Sequence, residues 1–127
     1  MAAGNYRPLT VREHEVLVWL LEHCPTDARN FLRQLDLISA RSSCDSGCPS
    51  IEFSVPVDAT YIDAPMGMRA DFKGTADGYE LGLTLVAGSG VLSELEVYTF
   101  GGNDGPFGLP ELETLKPFCK IAKWRCW

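Results

Sequence analysis

Cys44 and Cys48 bracket Asp45-Ser46-Gly47 in the stretch "RSSCDSGCPSIEF". Two thiols at this spacing suit zinc ligation, dithiol–disulfide exchange, or a tight turn that sulfur merely flanks. Tetrahedral zinc needs four ligands, usually presented as two closely spaced Cys or His pairs. The second pair available is Cys119 with Cys126, since His14, His23 and Cys24 lie far off in sequence. A zinc site would therefore take Cys44, Cys48, Cys119 and Cys126. Redox catalysis is less suited, because a reactive thiolate is stabilised at a helix N-terminus and a hairpin neck offers no such dipole. As a turn, Asp45-Ser46-Gly47 reads as a three-residue hairpin loop with Gly47 where a left-handed residue is required. Opposed strand residues stand about 4.5–5.5 Å apart at Cα, which a disulfide can span. Such a bridge closes a very short loop, worth about 2 kcal/mol in the chain-entropy account, and a cytoplasmic thiol pool would keep it reduced.

A second group is acidic. In "LSELEVY", Glu94 and Glu96 share one strand face with Leu92 and Tyr98, while Ser93, Leu95 and Val97 turn the other way. Carboxylates at i and i+2 stand about 6.5–7 Å apart along a strand. That spacing suits acid/base work or a hard cation, a carboxylate patch with Glu52 that docks a basic partner protein, or a plain solvated surface. Other catalytic patterns are missing. "GSG" at Gly88–Gly90 is a turn rather than a nucleophile elbow, and "AGSGV" leads into a strand, not into a phosphate-binding helix. His14 and His23 are nine residues apart, about 900° around a helix and so on opposite faces.

The elements that must position these residues show in the hydrophobic periods. Thr10 and Glu13 form a capping box, followed by Leu17, Leu20, Leu21 and Cys24 at helical spacing until Pro25. Thr26 and Asp27 can cap a second helix carrying Phe31, Leu32, Leu35 and Ile38, which predicts an antiparallel helical pair. The period then becomes two. Ile51, Phe53 and Val55 mark a strand, and Ile38, Ala40 and Ser42 weakly suggest one before it. Pro56–Gly67 reads as loop. Met68, Ala70 and Phe72, then "YELGLTLV" and "VLSELEVYTF", make a three-strand meander with turns at "GTADG" and "AGSG". Pro110 can open a short helix through Leu115. The expected fold is α+β: an N-terminal helical hairpin packed on one face of a four- to five-stranded antiparallel sheet.

The whole chain of 127 residues fits a single domain, with a core over about 8–115 and a basic, aromatic tail at 116–127. No apolar run approaches the roughly 18 residues of a membrane span. The start "MAAGNYRPLT" lacks a secretory signal pattern, so a cytoplasmic protein without membrane association is expected. The net charge is −6, and the bases Lys116, Lys120, Lys123 and Arg125 gather at the end. An acidic body repels phosphate backbones, which disfavours nucleic acid and favours a basic protein partner. In the tail, Trp124 and Trp127 with these bases form either a cationic-aromatic patch or a cover for the core edge.

"CDSGCPSIEFSV" and "GVLSELEVYTFGG" together resemble a group of small bacterial proteins, frequent in actinobacteria. Those have a helical N-terminus, a Cys-x-Gly-Cys-Pro-like hairpin and a late G-x-L-S-x-L-E strand. The resemblance covers roughly residues 8–110. It implies a bacterial origin and a shared fold, and brings no activity to transfer. This chain differs in its Asp-Ser between the cysteines and in its Cys/Trp tail. The reading that combines size, acidity and the missing catalytic patterns is a non-enzymatic binding module, of the immunity or inhibitor kind, using Glu52, Glu94 and Glu96. The alternatives are a small zinc protein on the cysteines and an enzyme with a Glu94/Glu96 pair.

Overall fold

Helix α1 (Val11–Glu22) begins where its capping box directs: the Thr10 side chain accepts from the Glu13 N–H and the Glu13 carboxylate from the Thr10 N–H. In this computed structural model, residues 5–24, 28–44, 47–56, 67–101 and 106–118 are described. The buried face of α1 is Val16, Leu17, Leu20 and Leu21. It packs on a seven-stranded sheet of order β1-β2-β3-β6-β5-β4-β7. The strands are β1 (Arg7–Pro8), β2 (Ser39–Ser42), β3 (Ile51–Ser54), β4 (Gly67–Ala76), β5 (Tyr79–Gly88), β6 (Val91–Thr99) and β7 (Lys116–Pro117). Every pairing is antiparallel.

This corrects the expected helical hairpin on a four- to five-stranded sheet: among the described residues the fold is mostly a seven-stranded antiparallel sheet with one short α-helix. Phe31, Leu35 and Ile38 are buried as their spacing suggests, but they ride on a six-residue 3-10 helix, Arg29–Gln34, and the turn after it. The 3-10 helix gives way to a turn at residues 35–37, and the chain is extended again by Ser39 to enter β2. Thr26 and Asp27 lie outside the described residues. The two additional strands sit at the sheet edges, have two residues each, and include Pro8 and Pro117. A two-residue strand has no period to read, and proline is tolerated at an edge, where its missing N–H is not needed.

The central meander β4-β5-β6 is built on two-residue turns, Asp77-Gly78 and Ser89-Gly90, with all four residues at positive φ (53°, 84°, 54° and 80°). That conformation matches the twist of paired strands. Alternation then sends Ala70, Phe72, Ala76, Leu81, Leu83, Leu85, Leu95 and Val97 into the core under α1. One register shift, between Val86 and Ala87, interrupts the β5–β6 ladder. Val86 faces Glu94 and Ala87 faces Leu92, so Ser93 is an extra residue, a β-bulge. Leu92, expected beside Glu94, is instead buried at 1% exposure, and Ser93 is exposed. The Gln34 side chain supports this site, donating to the Gly90 carbonyl at 2.8 Å and accepting from the Leu92 N–H at 3.0 Å. No helix among the described residues is long and apolar enough to cross a membrane.

Candidate functional site

The residues that turn away from α1 on β2, β3, β6, β5 and β4 make one continuous surface. Register places Arg41 opposite Glu52, Glu52 opposite Glu94, and Glu94 opposite Val86. One step along, Glu96 faces Thr84 and Thr84 faces Asp71. The tertiary structure thus brings Glu52 to Glu94 and Glu96 from 42 residues away in sequence. Like charges directly opposite on a sheet are destabilising, and the acids on this face are compensated unequally.

Glu52 is ion-paired with Arg41, whose guanidinium also lies over the Tyr6 ring at 4.5 Å. The Glu52 hydrogen bond pushes the Arg41 pKa above its already high ordinary value. Asp71 accepts a 2.8 Å hydrogen bond from the buried Thr84 hydroxyl. Glu94 and Glu96 make no ion pair among the described residues. Glu94 is half-buried and Glu96 exposed. Of the three carboxylates anticipated, these two carry the uncompensated charge. Neither lines the half-open cavity of about 490 Å³ beside β7 or the shallow hollow of about 270 Å³ on α1.

Farther along the same face Tyr98 pairs with Gly82 across β6 and β5. A Cβ at Gly82 would collide with the phenol ring and stand 2.7 Å from its hydroxyl oxygen. The glycine is thus a seat for the aromatic ring, which then meets Phe100 edge-on at 5.7 Å, and Phe100 meets Phe118 at 5.5 Å. Sequence alternation marks Tyr98 as surface, with Phe100 two residues on; it holds no sign of the seat at Gly82 or of the contact with Phe118, which come from other segments.

Cys44 and Cys48 are joined as a disulfide with Cα atoms 5.9 Å apart. Gly47 has φ +93°, the left-handed conformation expected of it. Its place is set by more than the turn. The Phe107 N–H donates to the Gly47 carbonyl at 3.4 Å, and a Cβ on Gly47 would come 2.9 Å from Cβ of Pro106. The neck thus docks on the segment after β6, a contact that local reading has no means to find. Bridged sulfurs are not thiolates and cannot ligate zinc, so the zinc reading requires the reduced pair. Its other two ligands, Cys119 and Cys126, lie outside the described residues, as do Trp124 and Trp127. Among the described residues no cluster of three or more His, Cys, Asp or Glu could hold a metal ion.

The histidines sit apart, as their spacing requires. His14 helps line the shallow hollow with Val18, Trp19 and Leu112, whereas His23 stacks on Trp19 at 3.9 Å and hydrogen-bonds its carbonyl. Comparison with protein-family models, curated proteins and solved structures found no match to this chain.

Proposed function

We propose that the protein is a non-enzymatic binding module whose sheet face, at Glu94 and Glu96 with Glu52 beside them, docks a basic surface on a partner protein. The immunity or inhibitor class fits this reading, since masking a cationic toxin surface needs charge and shape rather than a catalytic constellation. The observation that carries the reading is the cross-strand pair Glu52–Glu94, in which Arg41 neutralises one acid only. Like-charged neighbours on a sheet cost stability. A face that keeps this arrangement gains when a cationic partner supplies the missing counter-charge, and such complementarity raises association rate and selectivity more than raw affinity. A cytoplasmic location and a bacterial origin belong to the same proposal.

The test uses a decalysine peptide as the basic probe. The wild-type chain should bind it in a salt-sensitive manner, because exposed charges are screened beyond about 10 Å at 0.1 M salt. A Glu94→Lys/Glu96→Lys variant should melt as a folded protein and lose that binding. Equal binding by the folded variant would overturn the assignment to this face.

A further inference from the structure

Beyond Tyr98 and Gly82, at the far end of the same sheet face, β4, β5, β7 and the short 3-10 helix Leu112–Thr114 line the half-open cavity of about 490 Å³. That volume falls within the roughly 300–1,000 Å³ of small-molecule sites. Its charges are sorted by register. Lys73 stands opposite Lys116, and Thr75 stands opposite Glu80. Rows two residues apart on a strand are about 6.5–7 Å apart, so two ammonium groups mark one end of the cavity. Glu80 and Glu113 mark the other, because Glu113 lies on the turn whose Thr114 is hydrogen-bonded to Thr75.

None of these four side chains makes an ion pair among the described residues. The Lys73–Lys116 juxtaposition is itself unfavourable, relieved only in part by the Phe118 ring 5.4 Å from Lys73 Nζ. The wall is held firmly. Thr114 Oγ1 accepts from the Thr75 N–H at 2.9 Å and donates to the Glu111 carbonyl at 2.6 Å, while the Glu111 N–H donates to the Thr75 carbonyl at 2.9 Å. Beneath it Gly74 is packed so closely that a Cβ would come 2.8 Å from Pro110. Phe100, 44% exposed, supplies an apolar flank.

We infer that this cavity binds a small zwitterion of dipeptide size. Its carboxylate lies between Lys73 and Lys116, its ammonium between Glu80 and Glu113, and an apolar side chain against Phe100. A lone anion would leave two carboxylates facing it without a counter-charge, and a lone cation would do the same to the lysines. A ligand with both charges at dipeptide separation meets both ends. The inference is independent of the partner-docking proposal, since it uses none of Glu52, Glu94 or Glu96.

Isothermal titration with Ala-Phe, N-acetyl-Ala-Phe and Ala-Phe amide tests it on the full chain. Ala-Phe should bind saturably at millimolar concentration or below, and each capped form should bind at least about tenfold more weakly, the scale of one lost charge contact. Glu80→Gln should erase the preference for Ala-Phe over its N-acetyl form and keep the preference over the amide. Lys73→Gln should do the reverse. Both side chains lie at the surface or half-buried, and an unchanged melting curve verifies the fold. Equal binding of Ala-Phe and N-acetyl-Ala-Phe would make the cavity an anion site and overturn the inference. So would the absence of saturable binding by Ala-Phe at about 10 mM.

Discussion

Glu13 shows how one side chain serves two structures. It closes the capping box of α1 and receives a two-pronged contact from Arg7, with Nη1–Oε1 at 2.8 Å and Nη2–Oε2 at 2.9 Å. Its side chain is only 8% exposed. Burial alone would push its pKa up, but the Arg7 hydrogen bonds, the Thr10 N–H and the guanidinium charge outweigh it and hold the carboxyl below its ordinary value. Because the folded-state value is the lower one, its stabilisation is complete above the ordinary carboxylate pKa of about 4.3 and lost as pH falls through the folded value. Glu13→Gln should therefore cost about 1–3 kcal/mol at pH 7, and urea melts of the two proteins should converge in acid, as the pH falls through the lowered folded value. A gap that persists unchanged in acid would show that packing, not charge, sets the cost. The cap was legible in the sequence because Thr10 and Glu13 are three residues apart; the Arg7 contact was not, because nothing local aims that side chain.

The element scale turns on β6. Its alternation correctly separates Glu94 and Glu96 from Leu95 and Val97, yet mis-assigns Leu92, because the bulge at Ser93 shifts the phase by one residue. A bulge has no residue signature strong enough to read from one strand; it exists in the pairing of two. Gln34 stabilises it from a different element, so Gln34→Leu should strip the Gly90 carbonyl and Leu92 N–H of their partners and cost about 1–3 kcal/mol in a urea melt. Gln34→Glu, which loses the donor and buries a carboxylate against the Gly90 carbonyl, should cost at least as much at pH 7. Ser50 has a similar place: its buried hydroxyl donates to the Val97 carbonyl at 3.0 Å and accepts from the Val97 N–H at 2.8 Å, prolonging the short β3–β6 ladder. At the hairpin neck, reducing the Cys44–Cys48 bridge should lower stability by about 2 kcal/mol at most, given the very short loop it closes. A larger loss on reduction would mean that the bridge also secures the docking of Gly47 on Pro106.

At the scale of the whole molecule, the net charge of −6 is a property of the surface, and its local arrangement decides what it does. If Glu94 is held against Glu52 for a partner's sake, Glu94→Gln should raise stability by about 0.2–1 kcal/mol, the usual size of a cross-strand charge effect. The gain should shrink in high salt as screening weakens the repulsion. A Glu94→Gln protein less stable than wild type at low salt would contradict the repulsion on which the docking proposal rests. The cavity beside β7 has its own balance of two bases and two acids, so the same face offers an uncompensated acidic zone at one end and a recess of zero net charge at the other.

The sequence by itself determined the start of α1, the two glycine turns of the central meander, its phase on either strand up to the bulge at Ser93, and the strand positions of Glu52 on one strand and of Glu94 and Glu96 on another, because each depends on residues within about one helical turn or hairpin of one another. Only the tertiary structure decided the rest. It reduced the expected second helix to a 3-10 turn, capped the sheet with two proline-bearing edge strands, and set Glu52 against Glu94 while giving Arg41 to Glu52 alone. It also gathered Lys73, Lys116, Glu80 and Glu113 around one cavity. The physical reason is common to all of these: strand register and edge cover are long-range pairings, settled by which segments bury the shared core, and a local pattern of apolar and polar residues carries the face of a strand but not the identity of its neighbour.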